Sequence, residues 1–181
     1  MANEKLLRAN VTVLLAYPEA FADPLHPSAA ELNDQFVFTT NEDAMVFNVS
    51  CAIEDSSLTA NFTDSDTDDE RTICDEGAVQ TPTAKNYEFS LDFFRDKNVD
   101  AAGLFNLGFR LVQNPDRPFY GITRIGVSRD TAFANGQDVS IFGLTTDNVQ
   151  DIVDSGANTK AGARFQYTGQ AKENYRLGSA E

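Results

Sequence analysis

Apolar and polar residues alternate with period two along much of this chain, the spacing that sends successive side chains to opposite faces of a strand. The cleanest case is residues 87–93, where Tyr87, Phe89, Leu91 and Phe93 point one way and Glu88, Ser90 and Asp92 the other. Residues 57–62 alternate likewise, setting Leu58, Ala60 and Phe62 on one buried face. Residues 35–40 and 44–53 are rich in aromatic and β-branched side chains and predict two more strands. Further strands are predicted at 119–125, 138–145 and 163–168; in the last, Phe165 and Tyr167 oppose Arg164, Gln166 and Thr168.

One stretch breaks the rhythm. Between residues 100 and 113, Leu104, Leu107 and Leu111 form one helical stripe, and Phe105, Phe109 and Val112 form another beside it. Asp100 suits the N-cap, and Asn114-Pro115-Asp116 stops the helix. Gly103 and Gly108 each oppose helix formation by about 1 kcal/mol relative to Ala. A helix with so broad an apolar face must pack on a sheet or on a neighbouring subunit.

The fold class predicted is mainly β, a sandwich or barrel-like architecture with one flanking helix. Residues 1–34 read as an N-terminal strand followed by an extended arm or loop, because 18–34 hold three prolines and little periodicity. Residues 35–181 form the body of what is a single domain. Residues 147–162 read as a second long connection, and two such excursions are easier to accommodate against neighbouring copies. The chain shows no internal repeat and no low-complexity tract.

Composition narrows the function. The chain has 181 residues, 28 acidic against 14 basic, for a formal charge of −14. Residues 1–80 carry 16 acids and 3 bases, whereas 81–181 carry 12 acids and 11 bases. That balance excludes a groove that grips nucleic acid through clustered Lys and Arg, and it disfavours docking on an anionic membrane. The 41% apolar content, with 14 Phe, suffices for a core. Lys5 and Arg8 precede residues 11–16, but that apolar run is too short for a secretory signal, and none approaches the roughly 18 residues that span a bilayer. Asn10, Asn48 and Asn61 open Asn-x-Ser/Thr triplets, read as chance matches without such a signal. Cys51 and Cys74 are read as reduced side chains, since two cysteines do not make a disulfide framework.

Candidate chemistry is sparse. Asp64, Asp66 and Asp68 are spaced like the first ligands of a calcium loop, but Asp69 and Asp75 stand where Gly and a bidentate Glu are needed. The run therefore reads as a solvated hairpin tip, with Asp64, Asp66 and Asp68 as a candidate cation site. The single His26 lies in a proline-rich loop with no nucleophile and orienting partner in view. No nucleophile elbow, P-loop, Rossmann glycine pattern or Cys/His metal spacing occurs. Arg117, Arg124 and Arg129 bracket a predicted strand and are expected to pair with acids of the first 80 residues. Those acids are placed on the same chain or on a second copy, which makes Asp64, Asp66, Asp68, Asp69, Arg124 and Arg129 the inter-subunit candidates. No catalytic residue and no cofactor are expected.

Three stretches carry a resemblance: residues 58–77 (LTANFTDSDTDDERTICDEG), 86–112 (NYEFSLDFFRDKNVDAAGLFNLGFRLV) and 118–146, the last with an R-x-G, an "AF" pair and G-Q-x-V. In this order they resemble the major tail tube proteins of long, non-contractile-tailed (siphovirus-type) bacteriophages. The resemblance implies a β-sandwich-like fold shared with type VI secretion tube proteins, and hexameric rings stacked into a hollow, non-enzymatic conduit for viral DNA ejection. The implied partners are further copies of the chain, a tape-measure protein, a tail terminator and baseplate or distal tail proteins. Viral DNA passes through without specific binding, with no membrane insertion. The implied location is the virion tail, assembled in the host cytoplasm. Glu88, Ser90, Asp92, Arg164, Gln166 and Thr168 are the lumen-facing candidates. The alternatives are another tail protein such as a terminator, or a calcium-binding adhesive β-sandwich.

Overall fold

The computed structural model describes residues 10–34, 45–68, 81–98, 100, 103–152 and 159–178. Its strands are β1 (Val11–Ala16), β2 (Val46–Asn48), β3 (Thr59–Asp68), β4 (Thr81–Phe94), β5 (Pro118–Ile125), β6 (Asp138–Thr146), β7 (Gln150–Ile152) and β8 (Lys160–Arg176). Every pairing is antiparallel, in the order β2-β1-β5-β6-β8-β4-β3, with β7 also on β8. The expected mainly β, sandwich or barrel-like architecture is what the chain forms.

β8 is the strand that joins the two halves. Its residues Lys160 to Arg164 pair with Phe94 to Ser90 of β4, while Phe165 to Arg176 pair with β6. Between them lies a bulge: Leu144 opposes Tyr167, yet Phe142 opposes Ala171, so β8 advances four residues while β6 advances two. Gly169 takes φ +78° there, a conformation open to glycine. Tyr87 holds the bulge: its hydroxyl donates to the Gly143 carbonyl at 2.9 Å, with that of Gln170 at 3.3 Å, and accepts the Gly169 N–H at 3.1 Å. A side chain at Gly143 would overlap Thr168 Oγ1. The chain after β2 links back to β4, since Phe94 N–H donates to Ala52 O and Glu54 N–H to Asp92 O, both at 3.0 Å.

The sheet buries two apolar layers. The first joins Val13, Tyr87, Phe89, Leu91, Phe93, Phe119, Phe142 and Phe165. The second lies on the other face of β1, β5 and β6, where Leu14, Ile122 and Ile141 meet Phe21, Leu32, Phe133 and Tyr175. Strands buried on both faces read as continuous apolar runs rather than alternating ones. That accounts for VTVLLA in β1 and for burial from Phe119 through Arg124 in β5.

Helix α2 (Leu104–Val112) begins later than Asp100 predicts; its N-cap is Gly103, without a side-chain cap. Asp100 is drawn instead into a run of local turns, its N–H donating to Asn98 Oδ1 as that of Asn98 does to Asp96 Oδ1. Gly108 is needed for close packing, because a Cβ there would lie 2.7 Å from Phe93 Cδ1. Leu111 and Val112 are buried, whereas Phe105 stays at the edge, its ring centroid 6.0 Å from that of Phe94.

Other boundaries differ from the sequence expectations. Of residues 44–53, the described part, from Met45 on, holds the short β2 and a single bridge at Ile53, because Asn48 Oδ1 accepts both the N–H and the hydroxyl of Ser50 and turns the chain. The last strand extends well past residue 168, and residues 147–162 contain β7. The strand expected at 35–40 lies outside the described residues. Residues 18–34, expected as an extended arm or loop, run as a loop that holds a 3-10 turn at Pro18–Ala20 and helix α1 (Ala29–Asn33) and packs Phe21 and Leu32 into the second apolar layer. Ser28 and Glu31 form a reciprocal capping box. Desolvation alone would raise the Glu31 pKa. The N–H groups of Ala22 and Ser28 and the Ser28 hydroxyl outweigh it and hold the carboxyl below its usual value.

A depressed carboxyl pKa stabilises the fold above its unfolded value and loses that contribution as pH falls through the folded one. Glu31→Gln should therefore flatten the decline in urea-measured stability below about pH 4.3. Ser28→Ala should cost about 1 kcal/mol at neutral pH.

Candidate functional surfaces

Because β4 is half-buried, its alternation places Glu88, Ser90 and Asp92 on the face away from the core. The register brings matching residues beside them: Asn61 of β3 opposes Glu88, Arg164 of β8 opposes Ser90, and Gly162 opposes Asp92. Gln166 follows on β8 and is exposed. Thus Glu88, Ser90, Asp92, Arg164 and Gln166 share one sheet face, while Thr168 stands in the bulge against Gly143. Arg164 Nη1 lies 3.1 Å from Asp92 Oδ1. This face is polar but close to balanced in charge.

The acidic run lies at the far end of the β3–β4 hairpin. Asp64 and Asp66 are exposed, and Asn86 Nδ2 donates to Asp66 Oδ1 at 2.9 Å and to Asp64 O at 3.2 Å. Asp68 opposes Thr81 where β3 ends, and Asp69 with residues 70–80 lies outside the described residues. The flanks are strands, unlike the helices of a calcium hand. Among the described residues no trio of His, Cys, Asp and Glu is grouped to hold a metal ion.

The arginines part company. Arg117 Nη1 donates to the Tyr17 hydroxyl at 2.9 Å. Arg129 is exposed at the rim of a groove of about 420 Å³, floored by Val11, Val13, Ile53 and Leu58 and edged by Cys51, Glu54 and Asp55. Cys74 lies outside the described residues. Arg124 corrects the expectation of a carboxylate partner or a contact with a second copy: it is 1% exposed, inside its own subunit. Its Nη1 donates to Gln137 Oε1 and Ala132 O, and its Nη2 to Thr131 O, Ser128 O and Thr12 Oγ1, at 2.8–3.3 Å. The Phe133 ring centroid lies 3.9 Å from its Cζ. Burial lowers the guanidinium pKa, and the carbonyls around it replace lost water. Among the described residues, Lys160 pairs with Glu54 at 2.7 Å, a cation of the later part of the chain with an acid of the first 80 residues.

His26 is a tether. Its Nδ1 meets Asp23 Oδ2 at 2.7 Å and its Nε2 meets Lys172 Nζ at 2.5 Å, joining the loop before α1 to β8. Sequence reasoning missed this tether and α1, although Ser28-x-x-Glu31 is a readable capping signature. The partners of Arg124 carry no comparable signal.

The surfaces described are thus a polar sheet face, a pinned loop and a groove edged by Arg129. The chain matches the phage tail tube protein family over residues 1–180 and belongs to it. No curated protein matches the chain. Membership makes it a structural component of the virion tail that self-assembles into a tube. No helix among the described residues is long and apolar enough to cross a membrane.

Arg124→Ala should lower stability by about 3 kcal/mol, since it strands several buried acceptors. Arg129→Ala should change it by less than about 0.5 kcal/mol. Denaturant unfolding measures both, and hydrogen exchange should show lost protection at residues 126–137 in the Arg124 variant alone.

Proposed function

We propose that six copies form a ring, that rings stack into a hollow tube, and that the face bearing Glu88, Ser90, Asp92, Arg164 and Gln166 lines the conduit through which viral DNA is ejected. The observation that carries this reading is the polar row on β4 and β8, backed by an aromatic core. β3 supports it, since it ends the sheet order among the described residues, and pairing there with a strand of a neighbouring copy would remove an aggregation-prone edge. The tape-measure protein occupies the lumen during assembly, and the terminator and distal tail proteins meet the two ends. The role is structural and not enzymatic. A siphovirus-type tail and kinship with type VI secretion tubes belong to the same reading.

Each copy carries −14, so free subunits repel one another, and salt screens that repulsion over a Debye length of about 8 Å at physiological strength. Raising salt should promote assembly of purified subunit, followed by light scattering and negative-stain imaging. Long hollow tubes are expected; single rings that never stack would favour a tail terminator. In the phage, Glu88→Lys should leave tubes intact and slow genome ejection. Normal ejection would remove Glu88 from the lumen.

A further inference from the structure

The sheet face described above carries a cation, which is an odd feature for a surface that DNA must slide past. Arg164 is half-exposed, its side chain 53% accessible, and an exposed guanidinium is a strong phosphate ligand. Asp92, on the adjacent strand, is only 18% accessible and presents Oδ1 to Arg164 Nη1 at 3.1 Å. The same Nη1 also donates to the Ala163 carbonyl at 3.1 Å, which turns the group back along its own strand.

The backbone makes room for this pair. Gly162 lies opposite Asp92, and a Cβ there would stand 3.1 Å from Asp92 Oδ1 and 3.4 Å from Arg164 Nη1. The ion pair therefore lies over a residue with no side chain. As a fold-stabilising contact it counts for little, since exposed pairs contribute at most about 1 kcal/mol. Its effect on a passing polyanion is larger. A free arginine at this position recurs in every copy, and each phosphate it engages adds about 0.9 to the logarithmic salt dependence of binding.

We propose that Asp92 guards Arg164, occupying its guanidinium so that DNA meets no free cation on this face. The inference rests on the lumen-lining reading above. It makes Asp92 a positioning residue for DNA passage, and Gly162 the space it needs.

The test uses tubes assembled from purified full-length subunit in the presence of a fluorescent 30-base-pair duplex, then treated with nuclease and pelleted. Wild-type tubes should retain little nuclease-resistant DNA. Asp92→Asn and Asp92→Ser, used in parallel so that one failed assembly does not end the test, should retain about tenfold more at low salt and lose it as salt rises. The double variant Asp92→Asn with Arg164→Gln should return to the wild-type level. Tubes carrying Glu88→Lys report on the lumen reading itself. If Glu88→Lys retains protected DNA and the Asp92 variants do not, the guard is wrong and the lumen assignment stands. Retention that persists in the double variant also overturns the guard, because Arg164 is then not the ligand. If no variant retains protected DNA, or if the DNA that binds is nuclease-sensitive, the face is not the lumen and both readings fall.

Discussion

Strand β8 belongs to both halves of the sheet, and where it changes partner sets every other placement in the molecule. The change falls at a bulge held by the Tyr87 hydroxyl, which is itself delivered by β4. The core row of β4 and the site where β8 turns are thus fixed by the same strand. If β4 slipped by one residue, Phe89, Leu91 and Phe93 would leave the core and Glu88, Ser90 and Asp92 would enter it. Each large apolar side chain so exposed would cost about 1.5–3 kcal/mol, before any penalty for burying carboxylates. The polar row is therefore held in register by the aromatic row behind it. A surface that needs no catalytic geometry still gains fixed spacing from a core that cannot shift.

The second fixed point is the Arg124 guanidinium. Residues 126–137 form a polar loop with little apolar content of its own, yet Phe133 is buried and the loop closes around a single cation. Asn33 grips it from the other side, accepting the Phe133 N–H at 2.7 Å and donating to its carbonyl at 2.8 Å. The pieces of the R-x-G, "AF" and G-Q-x-V signature now read as one device. Arg124 supplies the donors, Ala132 and Gln137 supply acceptors, and Phe133 covers the cation. Gly126 and Gly136 take the positive φ values, +90° and +87°, that let the loop turn. Motifs that looked structural in sequence are structural because each residue answers to the same buried charge.

How legible the molecule was follows from how each element is buried. β4 could be read because it is half-buried, so its polarity alternates with the pleat. β5 and β6 could be read from β-branched and aromatic content, although burial on both faces erased the period. The outer part of β8 could not. Gln170, Glu173 and Asn174 are exposed and poor strand formers, and they are carried in the strand by the neighbours that β6 does pair, Ala171, Lys172 and Tyr175. Asp100 misled because a good capping residue caps only if the chain is free to start a helix there. Among the site residues, the face of Glu88, Ser90 and Asp92 followed from parity, and Arg164 and Gln166 joined it through a register that pattern alone does not reveal. Arg124 ran against the rule that arginines stay at the surface, and only its enclosure by carbonyls explains the exception.

The acidity of the chain acquires a different meaning once its charges are placed. Most of the excess lies in residues 1–80, with Asp64 and Asp66 at the far end of the β3–β4 hairpin. On the proposed lumen face Asp92 and Arg164 cancel, which leaves Glu88 as the surplus. Charges more than about 8 Å from a passing phosphate are largely screened at physiological salt. Remote acids therefore keep subunits apart in solution more effectively than they repel DNA within a tube. Friction in such a conduit depends on the nearest groups, and there the decisive property is that the cation is already engaged. A bare excess of carboxylates would repel DNA but would also draw cations to the wall. A paired face does neither, and offers the duplex no site at which to stop.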